Sequence, residues 1–346
     1  MSMSIAGRSV GPGYKPLVIA ELGINHEGSL ELAKVMARAA IESGAEVIKH
    51  QTHVPNAEMS EEAKAIIPGN TDVSIFEVIS RCALTFDEEE QLAEFVRSLG
   101  AIYMSTPFSF EAADFLDDLK VPAFKIGSGE CNNYPLIEHV ASKGKPMIVS
   151  TGMNSIETIS PTVEIMRNFG IPFALLHCTN LYPTPSSLIR VEAIKEIKDA
   201  FPDAIMGLSD HSLTNHPSFA AVALGACILE RHFTDSKLRQ GPDIVCSMTP
   251  EELKDLIRGS EIIHDAMHGE KYPLVQEEVT IAFAFASVVA TRDLRQGEII
   301  SRKDITMKRP NGGDFGPKDF KRLIGAEVVS DIRGNLQIKK NQIHIR

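Results

Sequence analysis

The sequence of 346 residues lacks any apolar run that could cross a membrane. Its longest nearly unbroken apolar stretch, residues 219–229, is shorter than the roughly 18 residues that a membrane span needs. The residues before Leu17 contain no apolar stretch of the kind found in signal peptides. We therefore expect a protein that is neither inserted into a membrane nor exported, with the cytoplasm as its location.

Cysteine and positive charge are also scarce. The five cysteines form no CxxC pair and are odd in number, which argues against both a disulfide framework and a zinc ribbon. Lys and Arg number 35 against 46 Asp and Glu, so the formal net charge is −11. Such a surface repels a nucleic-acid backbone, and nucleic acid is not an expected partner. An anionic substrate would need a local cationic pocket.

The pattern that is present consists of apolar segments with polar ends, alternating with segments of helical period from Leu17 onward. The predicted strands cover residues 17–25, 46–53, 101–107, 123–129, 146–152, 173–180, 205–212 and 227–234. Eight βα units that end near residue 270 predict an α/β fold, the (β/α)8 or TIM barrel. A doubly wound sheet is the alternative, but no glycine-rich fingerprint follows the first strand.

One region interrupts this repeat. Residues 54–84 form an insertion between the second strand and the next helix. Because a loop of this length is more often functional than accidental, we expect it to serve the site.

The end of the chain differs from the rest in charge. Residues 281–346 carry 13 Lys and Arg against 7 Asp and Glu, a charge of +6, whereas the remainder holds 22 against 39, a charge of −17. Within this tail, Asp293-Leu294-Arg295, Ile300 and Ile305 recur at a constant offset as Asp331-Ile332-Arg333, Ile338 and Ile343. We predict a barrel domain over residues 1–275 and a small β module over residues 276–346 that docks on an acidic body or binds an anion.

Polar residues stand at the predicted carboxyl ends of the strands, where TIM barrels build their active sites. Lys49 and Lys125, together with several hydroxyls, would suit a phosphate or a carboxylate. His211 and His232 end neighbouring strands and could share one divalent ion, although a histidine at such a position is commonly a hydrogen-bonded core residue. The predicted rim comprises Glu21, Asn25, Lys49, Gln51, Ser105, Thr106, Lys125, Ser128, Ser150, Asn180, Ser209, His211 and His232.

Other reactive side chains have weaker support. His26 and His53 could also reach the mouth, whereas His50 should point away because side chains alternate along a strand. Cys131 lacks a His or Asp placed to activate it, so we expect an inert thiol.

Several ordered motifs are shared with a known family. In chain order they are AELGINHEGSLELAK, IKHQTH, KIGSGECNNYPLI, STGMNS, HCTNLYPTP, GLSDHS, LERHFTDS, GPDIVCSM and FAFASVVA. Together they resemble the bacterial N-acetylneuraminate (sialic acid) synthases, including their C-terminal antifreeze-like (SAF, β-clip) domain. The resemblance extends from about Leu17 to the end of the chain, and it implies a TIM barrel followed by a SAF domain.

The resemblance implies a reaction and a role for each rim residue. The reaction condenses phosphoenolpyruvate with N-acetylmannosamine and water to N-acetylneuraminate and phosphate, assisted by Mn²⁺ or Mg²⁺ at His211 and His232. Glu21, Gln51 and Glu130 are the expected catalytic residues, of which Glu130 would manage the proton of the attacking water. Phosphoenolpyruvate would be held by Lys49, Thr106, Lys125, Ser128, Ser150 and Ser209, and the sugar by Asn180, Tyr182, Asp243 and Arg309.

The resemblance also implies an oligomer. Arg309 in MKRPNGGDF matches a residue that reaches the active site of the partner barrel in a domain-swapped homodimer. Its planar guanidinium could hold an amide carbonyl and a hydroxyl of the sugar together.

Three alternatives stay open. Legionaminic and pseudaminic acid synthases share the fold and use a related hexosamine, although the stretch from His50 to Asn70 looks closest to the N-acetylneuraminate branch. A Schiff-base aldolase would use Lys49 or Lys125 as its nucleophile and would need no metal. A non-enzymatic binding protein is the third, but it would not need two histidines and two lysines at one mouth.

Overall fold

A computed structural model describes residues 2–68 and 72–345. The chain forms two compact units, of which the first ends at His268 and the second begins at Gly269. Among the described helices, none combines the length and the apolar composition needed to cross a membrane.

The first unit opens with a hairpin that the sequence did not predict. β1 (Met3–Ile5) and β2 (Arg8–Val10) pair in antiparallel fashion. Met3, Ile5 and Val10 are buried in the same apolar cluster as the first residues of the barrel strands. The hairpin therefore covers the barrel at the end where its strands begin.

Eight parallel strands then form the predicted TIM barrel. The strands β3 to β10 span Leu17–Gly23, Val47–Thr52, Ile102–Pro107, Phe124–Ile126, Met147–Ser150, Phe173–Cys178, Ile205–Asp210 and Ile228–His232. Their order in the sheet is β5-β4-β3-β10-β9-β8-β7-β6, and β5 lies beside β6, so the ring is nearly closed. All eight predicted strands are present. β5 ends at Pro107 as predicted. The other seven end one to three residues before their predicted ends, because their last polar residues belong to the loops.

Alternation along each strand separates the two cores of the barrel. On β3, Leu17 and Ile19 belong to the interior cluster, whereas Val18 and Ala20 pack between the sheet and the helices. Glu21 continues the interior row and comes last in it. The strands thus fill the interior with apolar side chains at their start and bring polar side chains to the mouth at their end.

Helices surround the sheet, and their first turns follow the capping signals in the sequence. The helices α1 to α10 span Leu30–Glu42, Pro55–Glu58, Ile75–Cys82, Phe86–Ser98, Phe110–Asp118, Tyr134–Ala141, Ile156–Asn168, Ala193–Ala200, His216–Ala223 and Pro250–Ala266. Thr85 caps α4: its hydroxyl accepts from the Glu88 amide, and the Glu88 carboxylate accepts from the Thr85 amide in return.

The predicted insertion contains α2, a 3₁₀ turn over Glu61–Ala65 and α3. Residues 69–71 of this segment lie outside the described part of the chain. The side chains of Val78, Ile79 and Cys82 on α3 form a small buried cluster with Ile24, so the insertion packs beside the end of β3.

The second unit is a small β module that begins with α11 (Glu278–Ala284). β11 (Ser287–Ala290) pairs with β12 (Ile305–Lys308), and β13 (Glu327–Val328) pairs with β14 (Ile343–His344), both in antiparallel fashion. Two equivalent positions of the predicted repeat pair with each other, because Leu294 and Ile332 exchange backbone hydrogen bonds of 2.8 and 2.9 Å. The repeated isoleucines are all buried in one core, namely Ile300, Ile305, Ile338 and Ile343.

Candidate active site

A cavity of about 150 Å³ opens at the carboxyl ends of the barrel strands. All predicted catalytic, substrate and metal residues line it except Glu130, Asp243 and Arg309. The lining consists of Glu21, Lys49, Gln51, Thr106, Phe108, Lys125, Gly127, Ser128, Gly129, Ser150, Cys178, Asn180, Tyr182, Ser209, His211, Glu230 and His232.

Two lysines and two carboxylates form the charged floor of the cavity. Lys49 Nζ lies 2.5 Å from Glu21 Oε2 and 3.9 Å from Glu230 Oε1, and Lys125 Nζ lies 3.5 Å from Glu230 Oε1. All four side chains are almost completely buried. Because the four charges balance before substrate arrives, the lysines can stay charged without water around them.

Burial shifts the proton affinity of these groups. Burial raises the pKa of Glu21 to about 7, although the neighbouring Lys49 lowers it. Burial by itself also raises the pKa of Glu230, but Lys125 and Lys49 lower it further, so that it lies below its usual value. Burial lowers the pKa of Lys125 despite the attraction of Glu230. Glu21 is therefore the carboxyl of this floor best suited to exchange a proton near neutral pH.

Hydroxyl groups and a close glycine surround the lysines. Lys49 Nζ donates to Thr106 Oγ1 at 3.0 Å, and Lys125 Nζ donates to Ser150 Oγ at 2.8 Å. The backbone N–H of Gly152 donates to Ser128 Oγ at 3.0 Å. A Cβ at Gly152 would lie 1.8 Å from Asn180 Oδ1 and 2.8 Å from Ser128 Oγ, so a larger residue here would displace side chains of the lining. The lining can therefore present two cations and several hydroxyls to one anion.

The two predicted metal ligands come from neighbouring strands, because His211 directly follows β9 and His232 ends β10. The ring centroids of His211 and His232 are 5.5 Å apart, and the Tyr182 ring lies 4.0 Å from that of His211. His211 Nδ1 donates to the Thr179 carbonyl at 3.0 Å, which leaves Nε2 with its lone pair. Asp243 Oδ2 lies 3.8 Å from His232 Nδ1.

Both imidazoles are held in the neutral form that binds metals. Burial lowers the pKa of His211 to about 4, with a further contribution from His232. Burial and then Lys49 lower the pKa of His232 to about 3. Burial raises the pKa of the nearby Asp243 to about 6.

These residues fit a divalent ion that is held by few protein ligands. His232 Nδ1 is buried and has no hydrogen-bond partner in the structure, and imidazole nitrogen is a common donor to Mn²⁺. Across residues 2–68 and 72–345, no three or more His, Cys, Asp or Glu side chains form a metal-binding group. An ion at His211 and His232 would therefore keep several positions for water and substrate.

The remaining predicted residues, including the rim residues Asn25 and Ser105, lie outside the cavity lining. Glu130 follows the lining residue Gly129 in a 3₁₀ turn and accepts from Asn133 Nδ2 at 2.6 Å, and burial raises its pKa above the usual value. Arg309 belongs to the second unit, where it lines a groove of about 490 Å³. Three further cations line that groove, namely Lys308, Arg333 and Lys339.

Sequence reasoning missed five residues of the cavity lining, namely Phe108, Gly127, Gly129, Cys178 and Glu230. Glu230 stands two positions before His232 on β10, so the alternation that placed His232 at the mouth also directs Glu230 into the interior. Phe108 follows β5 directly, and its apolar ring gave no chemical signal.

The other histidines and the reactive-cysteine candidate do not enter the cavity. His26 and His50 contact each other through Nε2 atoms 3.0 Å apart, and His50 Nδ1 lies 3.3 Å from Glu89 on α4. His50 thus points away from Lys49, as predicted. Cys131 is buried, and burial raises the pKa of its thiol to about 12.

Comparison with known proteins gives family matches for both units. The NeuB family model matches residues 36–272, and the SAF domain model matches residues 285–343. The chain is 36% identical to an N,N'-diacetyllegionaminic acid synthase of Campylobacter jejuni, with 86% of this chain and 92% of the relative covered. It is 33% identical to the human N-acetylneuraminate-9-phosphate synthase, with 93% and 91% covered.

A solved structure is similar as well. It is the N-acetylneuraminic acid (sialic acid) synthetase of Leptospira borgpetersenii in complex with citrate, with a TM-score of 0.75 and 29% identity. The match covers 81% of this chain and 95% of that protein.

Proposed function

Since the chain belongs to the NeuB family and ends in a SAF domain, we propose that it condenses phosphoenolpyruvate with an N-acetylated hexosamine and water. The products are a sialic acid or a closely related sugar acid and inorganic phosphate. The observation that carries this proposal is the convergence of Lys49, Lys125 and several hydroxyls on one cavity, beside two neutral imidazoles.

Phosphoenolpyruvate would bind at the floor of the cavity. Its phosphate and carboxylate are anions, and Lys49 and Lys125 are the buried cations that can neutralise them. The hydroxyls of Thr106, Ser150 and Ser128 would donate to the same oxygens. The local charge overcomes the repulsion expected from a protein with a net charge of −11.

The reaction then needs one carbon–carbon bond and one addition of water. C3 of the enol phosphate attacks C1 of the open-chain sugar, which leaves C2 with oxocarbenium character. Water adds to C2, and phosphate departs with cleavage of its C–O bond. Glu21 and Gln51 would position the sugar and the water, and Glu130 would accept the proton of the water.

A divalent ion fits this scheme. His211 and His232 would hold it, with Asp243 beside them. When bound, Mn²⁺ or Mg²⁺ would polarise the sugar aldehyde as a Lewis acid. Asn180 and Tyr182 line the same side of the cavity and would orient the sugar.

The identity of the hexosamine is the finer part of the proposal. We rank N-acetylmannosamine first on the motifs, but the identities to legionaminic and N-acetylneuraminate-9-phosphate synthases support a related substrate equally well. Phosphate release from phosphoenolpyruvate, measured over a panel of hexosamines, tests both the reaction and the identity of the hexosamine. Release with any one amino sugar supports the reaction, and the best kcat/KM in the panel identifies the substrate.

Two further measurements separate this reaction from its alternatives. With ¹⁸O in the bridging position of phosphoenolpyruvate, C–O cleavage sends the label into phosphate, whereas P–O cleavage retains it in the sugar acid. A Schiff-base aldolase would instead be inactivated by borohydride in the presence of pyruvate. Such inactivation, with the adduct on Lys49 or Lys125, would reject the proposed reaction.

The second unit enters the proposal through Arg309. We infer that this unit docks on the barrel of a second copy and supplies Arg309 to the amino sugar. The support is the match to the SAF domain and the cationic groove around Arg309.

A further inference from the structure

We propose that His53 and Glu58 are positioning residues, which orient the Gln51 amide and through it the Glu21 carboxylate. This inference rests on the proposed function, because it concerns the site of the same reaction. It also gives the insertion after β4 a role, since Glu58 lies on α2 within that insertion.

A continuous series of hydrogen bonds connects the insertion to the floor of the cavity. Gln51 Nε2 donates to Glu21 Oε1 at 2.9 Å. His53 Nε2 lies 3.1 Å from Gln51 Oε1, and His53 Nδ1 lies 3.0 Å from both oxygens of Glu58. The series therefore contains four side chains, with the insertion at one end and a buried carboxylate at the other.

The chemistry of the groups fixes the orientation of the Gln51 amide. If the Gln51 amide were reversed, its oxygen would face the Glu21 carboxylate, and two acceptors would repel each other. With the nitrogen toward Glu21, the amide oxygen faces His53 Nε2. The Glu58 carboxylate lies against Nδ1 of the same ring, so both ring nitrogens have a partner.

Packing holds the His53 ring in the plane that these bonds require. The ring stacks on Phe108, with centroids 4.4 Å apart and an interplanar angle of 15°. The side chains of His53 and Glu58 are only 4% and 7% exposed. A buried ring with one face on Phe108 and both nitrogens bonded has little freedom to turn, so it can hold the amide in one orientation.

The direct test replaces His53 with phenylalanine. His53→Phe keeps an aromatic ring against Phe108 and removes both hydrogen bonds. We expect kcat to fall by about tenfold to a hundredfold and KM for the amino sugar to rise, because the Gln51 amide becomes free to turn. KM for phosphoenolpyruvate should stay within about twofold, since the lysines and hydroxyls are untouched.

The chain offers a matched control in His139. This histidine also contacts a phenylalanine ring, that of Phe110, and a carboxylate, that of Asp114, but it lies on the surface. His139→Phe should leave all kinetic constants unchanged. Equal constants for His53→Phe and the wild-type protein, with both folded by circular dichroism, would overturn the proposal.

A double-mutant cycle separates positioning from a general structural effect. If His53 acts through Gln51, then His53→Phe should cause no further loss in a Gln51→Ala protein. A loss in the double variant equal to the product of the two single losses would mean that His53 acts by another route, and the proposal would fall.

Glu58 provides a second test that does not depend on the ring. Glu58→Gln keeps an acceptor for His53 and should retain most activity, whereas Glu58→Ala should resemble His53→Phe. Glu58 also raises the pKa of Glu130, so both variants shift that group alike and the comparison between them remains clean. Equal activity of the two variants would contradict the proposal.

Failure of this inference differs from failure of the proposed function. A wild-type protein that releases no phosphate with any hexosamine rejects the function. An active wild-type protein with fully active variants at His53 and Glu58 rejects only the positioning role.

Discussion

At the scale of single residues, Glu230 links the charge of the floor to substrate binding. Its carboxylate lies within 4 Å of both buried lysines, and its Oε2 atom is buried without a hydrogen-bond partner. A carboxylate in this position keeps two cations stable in a dry cavity before an anion binds. The same carboxylate would repel phosphoenolpyruvate as it binds, so it would limit the affinity for this substrate as well as stabilise the fold.

Replacing Glu230 should separate these two effects. In Glu230→Gln the lysines lose a counter-charge, and we expect unfolding free energy to fall by about 3 kcal/mol. Inorganic phosphate should restore more stability in the variant than in the wild-type protein, because it supplies the missing negative charge. Thermal unfolding with and without phosphate measures both. An equal response to phosphate in the two proteins would contradict this account of Glu230.

The two rim histidines predict metal dependence. We expect His211→Ala and His232→Ala to lower kcat by on the order of a thousandfold, because polarisation of a carbonyl is worth several kcal/mol. Titration with Mn²⁺ followed by electron paramagnetic resonance should show tight binding to the wild-type protein and weak binding to both variants. His139→Ala serves as the control. Full activity in excess chelator would reject the metal site.

Residue identity at the mouth was predictable where chemistry and strand position coincided. Lys49, His211 and His232 were found because a polar side chain ended an apolar strand. Glu230 was overlooked because it lies two residues before His232 on β10, in a part of the strand where the pattern predicts apolar core residues. Glu58 could not be placed, since no periodicity indicates how an insertion folds back on a barrel.

At the scale of elements, β4 is held by contacts on both of its faces. Lys49 and Gln51 face the cavity, whereas His50 and Thr52 face α4. On that outer face, Glu89 accepts from Thr52 Oγ1 at 2.6 Å and from Tyr103 OH at 2.8 Å. This buried network fixes the strand that carries two residues of the site.

The buried network around Glu89 predicts that part of the unfolding free energy depends on pH. Burial by itself raises the pKa of Glu89, but His50 and the hydrogen bonds from Thr52 and Tyr103 lower it below its usual value. The folded state therefore binds this proton less readily than the unfolded state, so the stabilisation is present above about pH 4.5 and is lost as pH falls through the folded pKa.

The variant Glu89→Gln should lose this pH-dependent contribution to the unfolding free energy. At neutral pH the variant should be less stable by about 2 kcal/mol, because the hydroxyls of Thr52 and Tyr103 then donate to a neutral acceptor instead of a charged one. The difference should shrink as pH falls below about 4.5, since Glu89 becomes neutral in the wild-type protein too. Urea unfolding at a series of pH values measures it, with Glu94→Gln, an exposed change on α4, as control. A difference that is constant with pH would contradict the assignment.

Helices and strands could be predicted where apolar residues recur with a clear helical or strand period. The eight barrel strands and helices such as α1 and α4 have long apolar rows and clear caps, and the structure contains them. The hairpin of β1 and β2 escaped prediction because strands of three residues show no measurable alternation. Helix α2 of the insertion, with four residues, is likewise too short to give a period.

At the scale of the whole molecule, charge is divided between the two units. The basic tail of +6 and the acidic remainder of −17 attract each other, and a symmetric pair of chains would satisfy both copies at once. The groove that contains Arg309 and three further cations gives the tail a defined cationic surface. Each active site would then need a barrel from one chain and Arg309 from the other.

Complementation between two impaired variants tests this arrangement. Arg309→Ala should raise KM for the amino sugar far more than KM for phosphoenolpyruvate, since Arg309 is proposed to hold only the sugar. In a mixed dimer of Arg309→Ala and His232→Ala chains, the barrel of the first would receive an intact Arg309 from the second. Random exchange at equal amounts should therefore restore about one quarter of wild-type activity, because half of the dimers are mixed and each has one complete site.

The controls decide between a swapped and an unswapped molecule. At an amino-sugar concentration far below the KM of Arg309→Ala, each variant by itself should show little activity, and subunit exchange should be verified with two different affinity tags. If Arg309 served the barrel of its own chain, every mixed dimer would combine one site without His232 and one without Arg309, and no activity would return. An inactive mixture after complete exchange would thus reject the contribution in trans, and a fully active monomer would reject it as well, because a single chain would then contain everything that the reaction needs.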